Sequence, residues 1–239
     1  MISVDDSSGT FPGRGFSIFA GPSGPAFFAF GGICAIGLYL SYGYTHFMDD
    51  YGFFLSSMDQ SRSVDYEHRE LMGKYWKPRE IRRNEYFQRA GNPVDGMGFI
   101  VVGLFRFFYI DSEGREHVKT FAKEGDYVTS FAALITGELS SYFIQACEDS
   151  RMLFIRRQEY LSGVEHDPFW CDVARKTVER VLIEKVHHES SLLTMDAAER
   201  YEDFVARYPN LNSRLRLKDI ASYLGMTDVS LSRIRRMRS

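Results

Sequence analysis

Three arginines, Arg233, Arg235 and Arg236, crowd together near the end of the chain, directly behind Thr227, Asp228, Val229, Ser230 and Ser232. A guanidinium is permanently charged and holds its donors in a planar fork. It therefore suits paired oxygen acceptors: a phosphate, a carboxylate, or the two acceptors on the edge of a guanine. Hydroxyl and carboxylate groups one turn ahead add short-range hydrogen bonding. Such a set recognises a polyanion and does not make or break covalent bonds. Elsewhere no nucleophile stands beside a base, and no phosphate loop or metal motif is present, so neither an enzyme nor a bound cofactor or metal is expected. Cys34, Cys147 and Cys171 are odd in number and far apart. They form no CxxC and no ligand spacing, which fits free thiols in a reducing cytoplasm.

The charge distribution supports this reading. The net charge of the 239 residues is −3, yet from Arg207 onward eight basic residues face two acids, Asp219 and Asp228. Basic character concentrated at one end is the pattern of a small domain that meets nucleic acid while the remainder stays soluble.

What must position the arginines is a pair of short helices. Leu217, Ile220, Ala221 and Leu224 share one helical face, and Ala221 is small enough to admit a close partner. Gly225 supplies a sharp turn, Met226 plugs the angle, and Thr227 is a hydroxyl N-cap for a second helix. In that helix Val229 or Leu231, with Ile234, can face inward. Asp228, Ser230, Ser232, Arg233, Arg235 and Arg236 then face out. In a helix laid into a major groove the N-terminal half meets base edges and the basic C-terminal half suits phosphates, with Arg233 the base reader.

Further upstream, short segments rich in β-branched and aromatic residues alternate with turn residues. Phe99–Val102, Leu104–Ile110, Val118–Phe121, Tyr142–Ala146 and Met152–Ile155 read as strands of an antiparallel roll or barrel. After Asp167-Pro168 the period changes: Trp170, Ala174, Val178, Val181, Leu182 and Val186 mark a helix running to about Glu189. Its stripe must cover either the roll or the same helix of a second subunit. Another helix, Met195 to about Tyr208, stops at Pro209.

Residues 1–48 differ from the rest, with no Asp, Glu, Lys or Arg between Arg14 and Asp49. Three readings stand: a disordered extension or a start that truly lies at Met48, a membrane anchor, or a secretion signal. The expected organisation is α+β. It comprises the atypical segment 1–48, a sensor roll over 49–166, a dimerisation helix over 167–190, and a DNA-binding unit over 191–239.

The string Leu217-Lys-Asp-Ile-Ala-Ser-Tyr-Leu-Gly-Met-Thr-x-x-Ser-Leu-Ser-Arg-Ile-Arg-Arg resembles the DNA-binding end of the cyclic-AMP-receptor / fumarate-nitrate-regulator family. So does the preceding Glu199-Arg-Tyr … Arg207-Tyr-Pro-Asn-Leu, especially with the subgroup common in Bacteroidetes. The resemblance covers about Tyr51 to the C-terminus. It implies a cyclic-nucleotide-binding-like jelly roll, a long dimer helix and a winged helix-turn-helix. It also implies a cytoplasmic homodimer that binds double-stranded DNA and recruits or blocks RNA polymerase. Thr227, Ser230 and Arg233 match the family pattern, whereas Asp228 and Val229 replace the Arg and Glu of better-known members. Members that bind cyclic AMP use a Gly-Glu pair and a later Arg-Ser or Arg-Thr pair. Those positions read Thr129-Ser130 and Ser140-Ser141 here, so cyclic AMP is not expected and the small-molecule effector is unknown. The alternative is a ligand-sensing module of the same fold whose basic end docks a protein or a membrane surface. His187 and His188, adjacent on a helix, point apart and are expected to be surface residues.

Overall fold

The computed structural model describes residues 44–58 and 73–237. Most of the apolar N-terminal run, with its three readings, lies outside the described residues, as do Arg238 and Ser239. No helix among the described residues is long and apolar enough to cross a membrane. Helix α1 (Tyr44–Met58) passes without interruption through Met48, the expected boundary. Its buried Phe54 packs between Trp76 and Phe99, with ring centroids 4.7 and 4.8 Å apart.

Eight strands follow: β1 (Lys77–Ile81), β2 (Tyr86–Gln88), β3 (Gly96–Val102), β4 (Phe105–Ile110), β5 (Glu116–Ala122), β6 (Tyr127–Val128), β7 (Phe143–Ala146) and β8 (Ser150–Arg156). A short helix, α2 (Phe131–Thr136), sits between β6 and β7. All pairings are antiparallel, and the strands form two four-stranded sheets in the orders β1-β8-β3-β6 and β2-β7-β4-β5. This interleaving is that of a double-sheet jelly roll. Ile100, Phe105, Phe107, Ile144 and Met152 face one another between the sheets. Because strand side chains alternate, Arg106 and Gln145 fall on the outer face of the second sheet. That face receives the C-terminal helices.

Five strands lie where their composition predicts. The three that the sequence reading missed, β1, β2 and β6, are all edge strands. An edge strand buries one flank less and is short, and β1 carries Lys77, Pro78, Arg79 and Glu80. No apolar alternation marks it.

Helix α3 (Arg157–His166) leads into α4 (Pro168–Thr194), which extends five residues beyond the expected end. The Asp167 carboxylate accepts from the Phe169 amide at 2.8 Å, and Pro168 occupies the first turn, where its missing N–H is harmless. The stripe of α4 divides in two. Trp170 is buried and stacks on Trp76 (6.3 Å, 14°), so the first turns cover the roll. Val178, Val181, Leu182, Ile183 and Val186 remain exposed. Helix α5 (Ala197–Arg207) begins with a capping box made by Asp196 and Glu199.

Helices α6 (Leu217–Tyr223) and α7 (Asp228–Arg236) complete the chain. Leu215, Ile220, Ala221, Leu224 and Leu231 pack with Tyr201 and Phe204 of α5 in a core of their own, which Leu104 of the roll joins. Among the described residues no strand follows Arg156. The strands of a wing, included in the expected helix-turn-helix, are therefore absent from this region. Residues 208–216 close into successive turns instead, with Leu211 donating to Tyr208 and Leu215 to Leu211.

Gly225 makes the turn between the last two helices at φ +65°, and a Cβ there would lie 3.1 Å from Leu192 Cδ2. Gly225→Ala should therefore lower stability by about 1–2 kcal/mol, the cost of a left-handed conformation for an L-residue, measured by chemical denaturation.

Candidate nucleic-acid interface

The outer helix of the pair is presented by its inner partner. The only fully buried side chain of α7 is Leu231. Ile234 is half-buried against the same core, whereas Val229 is 76% exposed. The sequence left Val229 and Leu231 as alternatives for the inward position, and Leu231 takes it. Thr227, Asp228, Val229, Arg233, Arg235 and Arg236 are exposed, and Ser230 and Ser232 are half-buried. The outward set of the sequence reading thus shares one surface, with Val229 added to it.

The helix start is built as the sequence suggests. Thr227 Oγ1 accepts from the Ser230 amide at 3.2 Å and donates to Ser230 Oγ at 2.9 Å. Asp228 Oδ1 accepts from the Val229 amide at 2.9 Å. An acid in the first turn and arginines in the last both complement the helix dipole.

Half of the C-terminal basic residues do something else. Arg207 of α5 pairs with Glu184 of α4. Arg214 pairs with Glu124, at 2.7 Å, and with Glu148 of the roll. Arg216 pairs with Asp219 at 2.6 Å, and Lys218 stands 3.9 Å from Glu116. Arg207, Arg214 and Lys218 thus link the C-terminal segment to α4 or to the roll, whereas the Arg216 pair lies within the first turn of α6. Among the described residues no carboxylate pairs with Arg233 or Arg236.

Sequence reasoning missed the centre of this fastening. Arg106 of β4 is 4% exposed, and Asp219 of α6 is 2% exposed. The Arg106 guanidinium donates to Gln145 Oε1 (3.0 and 2.7 Å), to both oxygens of Glu116 (2.6 and 3.0 Å) and to Asp219 Oδ1 (3.2 Å). Its hydrogen bonds hold the Glu116 carboxyl below the usual carboxylate range. Nearby, Ser222 Oγ accepts from the Val118 amide at 2.9 Å and donates to the Glu116 carbonyl at 3.4 Å. One signal was available: a lone arginine in Leu104-Phe-Arg-Phe-Phe needs a buried acceptor somewhere.

The histidines are also better integrated than expected. His188 is half-buried and stacks on Tyr223 of α6 (4.0 Å, 7°). Burial lowers its pKa. His187 stands 3.6 Å from Asp203 of α5. The two rings do point apart, but each meets a different helix.

In the roll, Thr129, Ser130 and Ser140 are buried around Tyr142, while Ser141 is exposed. Thr129 Oγ1 donates to the Gly96 carbonyl (2.9 Å) and Ser140 Oγ to the Tyr142 carbonyl (2.8 Å). Both hydroxyls are thus used to fix backbone. The Arg157 guanidinium donates to the Leu134 and Ile135 carbonyls at the end of α2 (2.7 and 3.3 Å). Tyr142 itself packs against Phe107 and Tyr109 beneath the Lys119 ammonium.

A jelly roll of this order, a long helix with a half-uncovered stripe and a terminal helical hairpin together define a class: a cyclic-nucleotide-binding-type domain with a helical segment behind it. Residues 78–167 match the family model for the cyclic nucleotide-binding domain. Among solved structures the chain resembles FixK2 from Bradyrhizobium japonicum, with 20% identity over 68% of this chain and 83% of that one, at a TM-score of 0.60. The c-di-GMP responsive global regulator CLP of Xanthomonas campestris gives the same TM-score of 0.60, at 13% identity over 73% of this chain and 91% of that one. A Eubacterium rectale protein assigned as a transcriptional regulator of the Crp/Fnr family likewise scores 0.60, at 12% identity over 73% and 83%. At these identities the likeness is one of fold. A search of curated proteins finds no match.

Proposed function

We propose that this chain is a sequence-specific, DNA-binding transcription regulator that works in the cytoplasm as a homodimer. The observation that carries this reading is the outward face of α7. Leu231 pins the helix to its own small core, and a contiguous surface of short polar groups followed by arginines is left to solvent. A helix so presented fits a major groove, with Thr227, Asp228, Val229, Ser230, Ser232 and Arg233 toward base edges and Arg235 and Arg236 toward phosphates. The structural neighbours, which include named regulators, support the same reading.

The uncovered stripe of α4 supports the dimer, since helix-turn-helix readers work in pairs on two-fold sites. The effector, if the roll takes one, is not cyclic AMP held in the usual way. Neither a carboxylate nor an arginine stands at Thr129, Ser130, Ser140 or Ser141, and the buried hydroxyls of Thr129 and Ser140 are engaged with backbone.

Selection of bound duplexes from a random pool tests the function. A preferred half-site should emerge above an electrostatic background that falls steeply with salt. Arg233→Ala should keep its fold and lose about 1–3 kcal/mol of preference at one base pair, read from the same selection. Binding without any sequence preference would instead favour the docking alternative.

A further inference from the structure

We propose that Val229 reads thymine, through the C5-methyl group, in each half-site. This rests on the reading of α7 as the groove-facing helix and adds to it the base chemistry of one position.

The first turn of α7 sorts its side chains into engaged and unengaged. Thr227 Oγ1 is tied to both the amide and the hydroxyl of Ser230. Asp228 Oδ1 is tied to the Val229 amide. The polar groups there thus hold the helix start in shape. Val229 is the residue they frame, and its side chain is 76% exposed. It takes no part in the core that Leu231 and Ile234 join. A β-branched residue gains nothing from an exposed helical position, where its restricted χ1 slightly lowers helix propensity. Arg233 lies four residues further on, one turn along the same face, and is exposed as well.

In a major groove an isopropyl group has one apolar partner. Guanine, adenine and cytosine present acceptors and amino donors there, and thymine alone adds a methyl. Covering a donor or acceptor with valine would strip it of water and return no hydrogen bond. Covering the methyl removes apolar surface of both partners from water. A valine one helical turn ahead of a guanine-reading arginine therefore selects thymine at a base step near that guanine.

The test uses the full chain and the duplex recovered from selection. Each thymine is replaced in turn by deoxyuridine, which keeps base pairing and removes the methyl alone. For the unaltered protein, one thymine per half-site should be sensitive, with binding weakened about four-fold, the effect of one buried methyl. Val229→Ala should abolish that sensitivity at the same position while leaving the guanine preference assigned to Arg233. Identical responses of the two proteins at every thymine, or a selected half-site without thymine, would overturn the assignment and leave the regulator reading standing. Failure to recover any preferred duplex would overturn both.

Discussion

Arg106→Ala should destabilise the protein by about 3–5 kcal/mol, because it strips a buried charge network of its only fully buried cation. Arg106 holds Glu116, Gln145 and Asp219 at once, across two strands and a helix separated by up to 113 positions in the chain. Its loss leaves Asp219, 2% exposed, with Arg216 as its remaining partner, a side chain that is itself 45% exposed. Desolvation of the carboxylate is then poorly offset. Urea unfolding measures the loss, and a second variant identifies its origin. If the network is the cause, Asp219→Ala added to Arg106→Ala should cost less than the sum of the two single changes, by about 0.5–3 kcal/mol. Strict additivity would show that Arg106 acts through packing on Phe108, over whose ring its guanidinium lies at 4.0 Å, and not through Asp219.

The second large effect concerns α4. If α4 forms the seam of the proposed dimer, Leu182→Glu should convert that dimer to a monomer and lower affinity for a two-fold DNA site by about 10²–10⁴, the gain that linkage of two readers supplies. Val178, Leu182 and Val186 recur every four residues, and Leu182 is 56% exposed in the single chain. A glutamate placed there would meet its own copy across the seam. Because the position is open within one subunit, the melting behaviour of the isolated chain should hardly change. Sedimentation and duplex titration on the same sample read both consequences. A variant that stays dimeric and binds normally would assign the stripe to another role.

Local chemistry explains what could be read from residues alone. Gly225, the Thr227 cap and the spacing of Leu217, Ile220, Ala221 and Leu224 act within a few residues of one another, so the hairpin was legible. Asp167-Pro168 was legible as a helix start for the same reason. Partners distant in sequence were not. Arg207, Arg214 and Arg216 look like part of a basic tail, yet their acids lie 23, 66 and 90, and 3 positions away respectively, and only the fold brings the distant ones together. The choice between Val229 and Leu231 depended on the rotation of a nine-residue helix about its axis, which the pattern of a short, mostly polar helix does not fix. β1, β2 and β6 escaped because β2 and β6 span only three and two residues, and β1 reads Lys-Pro-Arg-Glu before its one apolar residue, so none is able to display the alternation that marks a strand. β5, an edge strand of seven residues, was legible.

Ser222 has an effect beyond holding a helix. β5 is the outermost strand of its sheet, with backbone groups that would otherwise be open to a strand from another molecule. The serine hydroxyl takes the Val118 N–H and the Glu116 carbonyl, so the helical hairpin seals the border of the roll. A roll expressed without residues beyond 166 would carry this border bare, and self-association through it is the expected fate of such a fragment. Solubility of the roll thus depends on the helices packed against its edge.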